Sequence, residues 1–96
     1  MTDQTILCEH NPPPAKLEVL GIEGWPVWKK EPSRFDWTYH QTETCYIVRG
    51  KFSVTPSGGE PQHFKRGDLI TFPAGMTCVW DITAPVEKHY RLDEAP

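Results

Sequence analysis

Three cysteines and four histidines make thiol, imidazole and metal chemistry the first possibilities to weigh. Cys8, Cys45 and Cys78 are an odd set with no C-x-x-C pair, which argues against a disulfide scaffold or a zinc ribbon. Each reads as a reduced thiol, and Cys45 and Cys78 fall inside apolar strand patterns, where free cysteine behaves as a small hydrophobe. His10 and His63 lie in or beside polar connections and read as solvated. His40 alternates away from the face shared by Trp37 and Tyr39. Near the C-terminus only one of His89 and Tyr90 can point inward, and shared parity with Val86, Lys88 and Leu92 favours Tyr90. Trp37, Tyr39 and Trp80 have two open readings: side chains that fill a small barrel, or the lining of a cavity for a small organic ligand.

The elements that must position these groups are short strands. Gly67-Asp68 opens an apolar run, Leu69 to Phe72, that Pro73-Ala74-Gly75 closes, giving one buried strand with a turn signal at each end. Thr77 to Ile82 then alternates, with Cys78, Trp80 and Ile82 on one face. Ser33 to His40 alternates too, with Phe35, Trp37 and Tyr39 together. Thr44 to Arg49 is rich in β-formers, and Gly50-Lys51 separates it from Phe52 to Thr55, which predicts a hairpin. Pro56-Ser57-Gly58-Gly59 is a turn, Gln62 to Lys65 a short returning strand, and Glu87 to Leu92 a last one. Lys16 to Leu20 reads as a first strand. Before it, residues 1–15 contain Asn11-Pro12-Pro13-Pro14, which suits neither a helix nor a central strand, and read as an extended arm. Residues 16–96 read as one domain, with a frayed end at Asp93 to Pro96. Lys29-Lys30-Glu31 and Lys65-Arg66 read as exposed faces.

Seven or more short strands with regular turn signals and no convincing 3.6-residue period predict an all-β sandwich or barrel. Ninety-six residues suit a single core. No apolar stretch approaches the roughly 20 residues of a membrane-spanning helix, and the polar Met1 to Gln4 start lacks a secretory pattern, so a cytoplasmic location is expected. A net charge of −3, without basic blocks interleaved with aromatics, argues against a nucleic-acid partner.

The chain resembles the cupin superfamily of double-stranded β-helix (jelly-roll) barrels. That family's second motif runs G, five residues, P-x-G, two residues, H; here stand Gly67, Pro73-Ala74-Gly75 and Cys78. Its first motif, H-x-H, three or four residues, E, six residues, G, is matched by Glu43 and Gly50. More narrowly, Phe35-Asp36-Trp37, Glu43-Thr44-Cys45-Tyr46, Gly67-Asp68-Leu69 and Lys88-His89-Tyr90 look like the small stand-alone cupins of the ureidoglycine aminohydrolase-like branch. A cupin metal is usually held by the two first-motif histidines, the glutamate and the second-motif histidine. In this chain the histidine positions carry Trp37 and Tyr39, or Asp36 and Thr38 in the other register, and Cys78, so only Glu43 matches. The cofactor is therefore left open: a divalent metal is possible, and a soft ion such as zinc could accept thiolate, carboxylate and a rearranged histidine.

The resemblance implies an interior pocket of Trp37, Tyr39, Glu43, Cys78 and Trp80, with Tyr90 beside it, binding a small polar metabolite, one that contains nitrogen if the protein is an enzyme. In an enzyme Glu43 would be proton acceptor or ligand, Tyr39 hydrogen-bond donor, and Cys78 ligand or nucleophile. An inward carboxylate such as Glu43 demands hydrogen-bond partners or a ligand, whereas a thiol near a carboxylate is a poor thiolate. The alternative is a metal-free binding or structural module. A homodimer formed edge to edge or face to face between sheets, with the N-terminal arm able to reach across to a partner, is expected in either case.

Overall fold

The computed structural model describes residues 5–93; the polar start at Met1 to Gln4 and the end at Glu94 to Pro96 lie outside them. The strands are β1 (Leu7–His10), β2 (Val27–Lys30), β3 (Ser33–Thr38), β4 (Glu43–Pro56), β5 (Gln62–Lys65), β6 (Asp68–Phe72) and β7 (Thr77–Leu92). One helix, α1 (Pro14–Leu20), and a 3₁₀ turn (Ile22–Gly24) lie between β1 and β2. All seven strands join one antiparallel sheet in the order β1-β6-β4-β7-β2, with β3 on β7 and β5 on β4.

Two long strands turn this sheet into a jelly-roll barrel. The first half of β4 pairs with β6 and the end of β7, while its second half pairs with β5 and the start of β7. Because β4 and β7 pass from one layer to the other, both layers close on a common core. The bend in β4 is a run of register shifts between Ile47 and Phe52. Gly50 sits there at φ +112°, and a Cβ on it would lie 2.5 Å from the Pro85 carbonyl oxygen, so only glycine fits comfortably. The bulge also changes which residues face inward: Glu43, Cys45 and Ile47 are buried before it, Phe52 and Val54 after it.

Gly50-Lys51 is therefore not the turn of a hairpin, because β4 runs on through it. Likewise Thr77 to Ile82 and Glu87 to Leu92 are parts of one strand, β7, in which Cys78, Trp80, Ile82, Val86 and Lys88 are buried while Ala84 and Tyr90 on the same parity are half-buried. Lys16 to Leu20 is helical rather than extended. Pro14 starts that helix with a preset dihedral, and Gly21 at φ +73° ends it by donating to the Leu17 and Glu18 carbonyls. None of its residues is buried, which is why no apolar period announced it. The arm is only partly extended: β1 pairs with this chain's own β6, and Pro14 and Ala15 belong to the helix.

The core is aromatic in the middle. Trp80 stacks on Phe52 at 4.3 Å and Tyr39 on Phe72 at 4.7 Å between ring centroids. Among the described residues no helix is long and apolar enough to cross a membrane.

Candidate functional site

A cavity of about 220 Å³ opens at one end of the barrel, lined by side chains from β2, β3, β4, β7 and the β3–β4 connection. Its walls are aromatic. Phe35 and Trp37 come from β3, Trp28 from β2, and Trp80 and Tyr90 from β7. Tyr39 follows β3 and is pinned by its backbone: its N–H donates to the Met76 carbonyl at 2.9 Å, and Gly75 N–H donates to its carbonyl at 2.6 Å. The alternation of Phe35, Trp37 and Tyr39 thus turns all three toward one space. Filling and lining are not exclusive for Trp80, which is 2% exposed yet presents part of its ring to the cavity, whereas Trp37, 46% exposed, stands at the mouth.

The polar groups of the cavity are Glu43, Lys88 and the Tyr39 hydroxyl. Lys88 Nζ donates to Glu43 Oε2 at 2.7 Å, and both side chains are under a tenth exposed. The Lys88 ammonium lies 4.8 Å from the ring centroids of both Trp28 and Trp80, which themselves meet edge to face at 5.8 Å. Glu43 thereby has the partner its burial demands. Trp80 Nε1 donates to the Tyr39 hydroxyl oxygen at 3.1 Å, which leaves the tyrosine O–H to donate into the cavity. Burial first, and then the Glu43 charge, raise the Tyr39 pKa far above its ordinary value. The phenol is therefore a neutral donor at every physiological pH.

Cys78 is not part of the cavity lining. It points inward from β7, but its thiol donates to the Trp37 carbonyl at 3.7 Å, and burial pushes its pKa up to about 11. At neutral pH it is a packed thiol rather than a nucleophile. Cys45, fully buried, is pushed up to about 12 by the same cause. Of the residues singled out by sequence, Glu43, Tyr39, Trp37, Trp80 and Tyr90 are brought together and Cys78 stands apart.

Lys88 was missed as a functional residue although its inward parity was legible, because lysine on a strand is ordinarily a solvated side chain. Trp28 was missed because its strand, four residues long, is too short to show a period. The usual cupin metal does not fit here. One Glu43 oxygen is taken by an ammonium that repels a cation, Trp37 offers no donor atom, and the Cys78 thiol is turned to a carbonyl.

The profile of the EutQ-like cupin domain matches residues 17–90. The chain belongs to this cupin family. The EutQ-like cupin is similar to a DUF861-family protein from Thermotoga maritima, with a TM-score of 0.90 and 47% identity over 93% of this chain and 100% of that one. A putative ethanolamine utilization protein Q from Salmonella typhimurium shares the fold at a TM-score of 0.60 and 23% identity, over 67% of this chain and 51% of that one. The EutQ protein of Clostridium difficile gives 0.61 and 22%, over 67% and 50%. This cupin thus spans about half the length of those two EutQ structures. Among curated proteins there is no match.

Proposed function

We propose that this EutQ-like cupin binds a small, planar, polar nitrogen-containing metabolite of the amide or ureide class, held flat between aromatic faces. The observation that carries the reading is the Lys88–Glu43 pair, 2.7 Å apart in an aromatic cavity. The pair offers adjacent, opposite hydrogen-bonding characters. Lys88 has two further N–H donors for a carbonyl oxygen, and the second Glu43 oxygen accepts from an adjacent N–H. Since the two charges already balance, a neutral ligand suits the site better than an ion. A volume of about 220 Å³ is below the roughly 300–1,000 Å³ of drug-sized sites, so the ligand is small. Aminohydrolase-like turnover on the same ligand would require Glu43 to leave Lys88 and take a proton from the attacking water.

Isothermal titration with a panel of ureides, simple amides and matched carboxylates tests this. Ureide or amide binding that falls at least tenfold in Glu43→Gln/Lys88→Met is the expected result. Preference for carboxylates, or ligand binding untouched by that double substitution, overturns it. A second reading, a metal-free structural module acting as a homodimer, draws on Trp37 and Leu92, each 46% exposed at the cavity. Sedimentation showing a dimer, together with no response to any compound, would favour that reading.

A further inference from the structure

A second cluster of chemically competent side chains lies outside the aromatic cavity. In the β1–β6 pair, Cys8 is opposite Ile70 and His10 opposite Asp68. Residues two apart on a strand share a face, as do cross-strand partners. Cys8, His10 and Asp68 therefore project from one side of the sheet, and their donor atoms all lie within 4.8 Å of one another. His10 is exposed, as the sequence reading expected, and it also has a partner: its Nδ1 is 2.5 Å from Asp68 Oδ1.

Backbone contacts hold this arrangement. Asp68 is almost fully buried, and its other oxygen accepts from the Lys65 N–H at 2.9 Å. The end of β1 is fastened by Asn11 N–H donating to the Gly67 carbonyl at 2.9 Å. Thus the carboxylate is oriented from behind, as the ligands of metal sites usually are. Its Oδ1, which His10 already engages, faces an imidazole and a thiol that are both exposed. One thiolate, one imidazole and one carboxylate form a donor set for zinc or a similar borderline ion, with about 2.0–2.3 Å ligand bonds and a fourth position left for solvent.

We propose that Cys8, His10 and Asp68 form a three-ligand site for a zinc-class divalent ion that clips strand β1 to β6. Ligand bonds of that length put donors roughly 3.3 Å apart in a tetrahedral site, so His10 must swing outward slightly from Asp68. Its side chain, 65% exposed, is free to do so. Binding releases the Cys8 thiol proton to solvent as the sulfur–metal bond forms. The open position is reached from an adjoining cavity of about 550 Å³ that His10 and Asp68 line together with Lys51, His63, Lys65 and Asp81. This site is independent of the amide-binding reading above.

The test is titration of the chelator-treated full chain with Co²⁺, followed by competition with Zn²⁺. Saturation at one equivalent with a thiolate-to-cobalt charge-transfer band, bleached by Zn²⁺, is the expected result. Cys8→Ser should abolish the band, and His10→Gln should weaken binding at least tenfold. Both residues are exposed, so neither variant threatens the fold, whereas Asp68 is better left in place. No saturable binding, or a band that survives Cys8→Ser and disappears in Cys78→Ser, would overturn the assignment. Melting temperature gives a second readout: Zn²⁺ should raise it in the wild type and leave Cys8→Ser unmoved.

Discussion

The buried Lys88–Glu43 pair can be interrogated by a double-mutant cycle. Lys88→Met removes the ammonium while keeping a stem of similar length beside Trp28 and Trp80, and leaves Glu43 as an unpaired carboxylate in a site where it is 6% exposed. Glu43→Gln does the converse, stranding an ammonium whose remaining contacts are two indole faces. Breaking one side of such a pair costs about 3–5 kcal/mol, while replacing both members by neutral groups is often neutral or stabilising by about 1–4 kcal/mol. Each single variant should therefore lose about 3–5 kcal/mol, and the double variant should recover to within about 1 kcal/mol of wild type or exceed it. Urea unfolding reads this directly. With a slope of about 1.5 kcal/mol per molar, each single loss moves the midpoint down by about 2–3 M, and the slope itself is unchanged. Two results would refute the reasoning: single losses below about 1 kcal/mol, the level of a solvent-screened pair, or a double variant whose loss equals the sum of the singles, which would mean no coupling.

Further predictions concern the thiols and the bend. Because burial raises Cys78 from 9.0 to about 11 and Cys45 from 9.0 to about 12, the folded protein keeps these protons while the unfolded chain loses them. Their contribution to stability is whole below pH 9 and is lost as pH rises from about 9 to 12; urea midpoints measured from pH 7 to 11 should fall, and a flat profile would contradict the burial. Gly50→Ala places a Cβ 2.5 Å from the Pro85 carbonyl oxygen at φ +112°. It should cost about 1–3 kcal/mol or more, whereas Gly58→Ala, at a left-handed turn with open space around it, should cost less. Equal losses at the two glycines would remove close approach from the explanation.

Much of the barrel was legible because burial on one face writes a period of two into a strand. Phe35-Trp37-Tyr39 and Cys78-Trp80-Ile82 were placed on their true faces in this way, and the Pro73-Ala74-Gly75 corner needed only local backbone chemistry. Misreadings arose where one local signature serves two structures. A glycine beside a lysine at Gly50 looks alike in a hairpin turn and in a bulge, and the difference lies in the Pro85 carbonyl, so close that a Cβ at position 50 would sit 2.5 Å from it. Helix α1 half-buries only Leu17 and Leu20, too short a stripe for the hydrophobic pattern to display. His10 is solvated as read, but its partner Asp68, 58 residues away, left no local trace.

Residue order alone decides which side chains alternate to a common face, since that depends on nothing beyond neighbouring dihedrals. Which of those faces meet is settled by long-range register. Had β4 continued without its bulge, Phe52 and Val54 would point away from Glu43, Cys45 and Ile47, and the barrel could not close around Trp80. Lys88 and Glu43 are 45 residues apart and come together only because bent β4 lies beside β7. A charge can stay buried only where another arrives to meet it, and that meeting is a property of the folded chain.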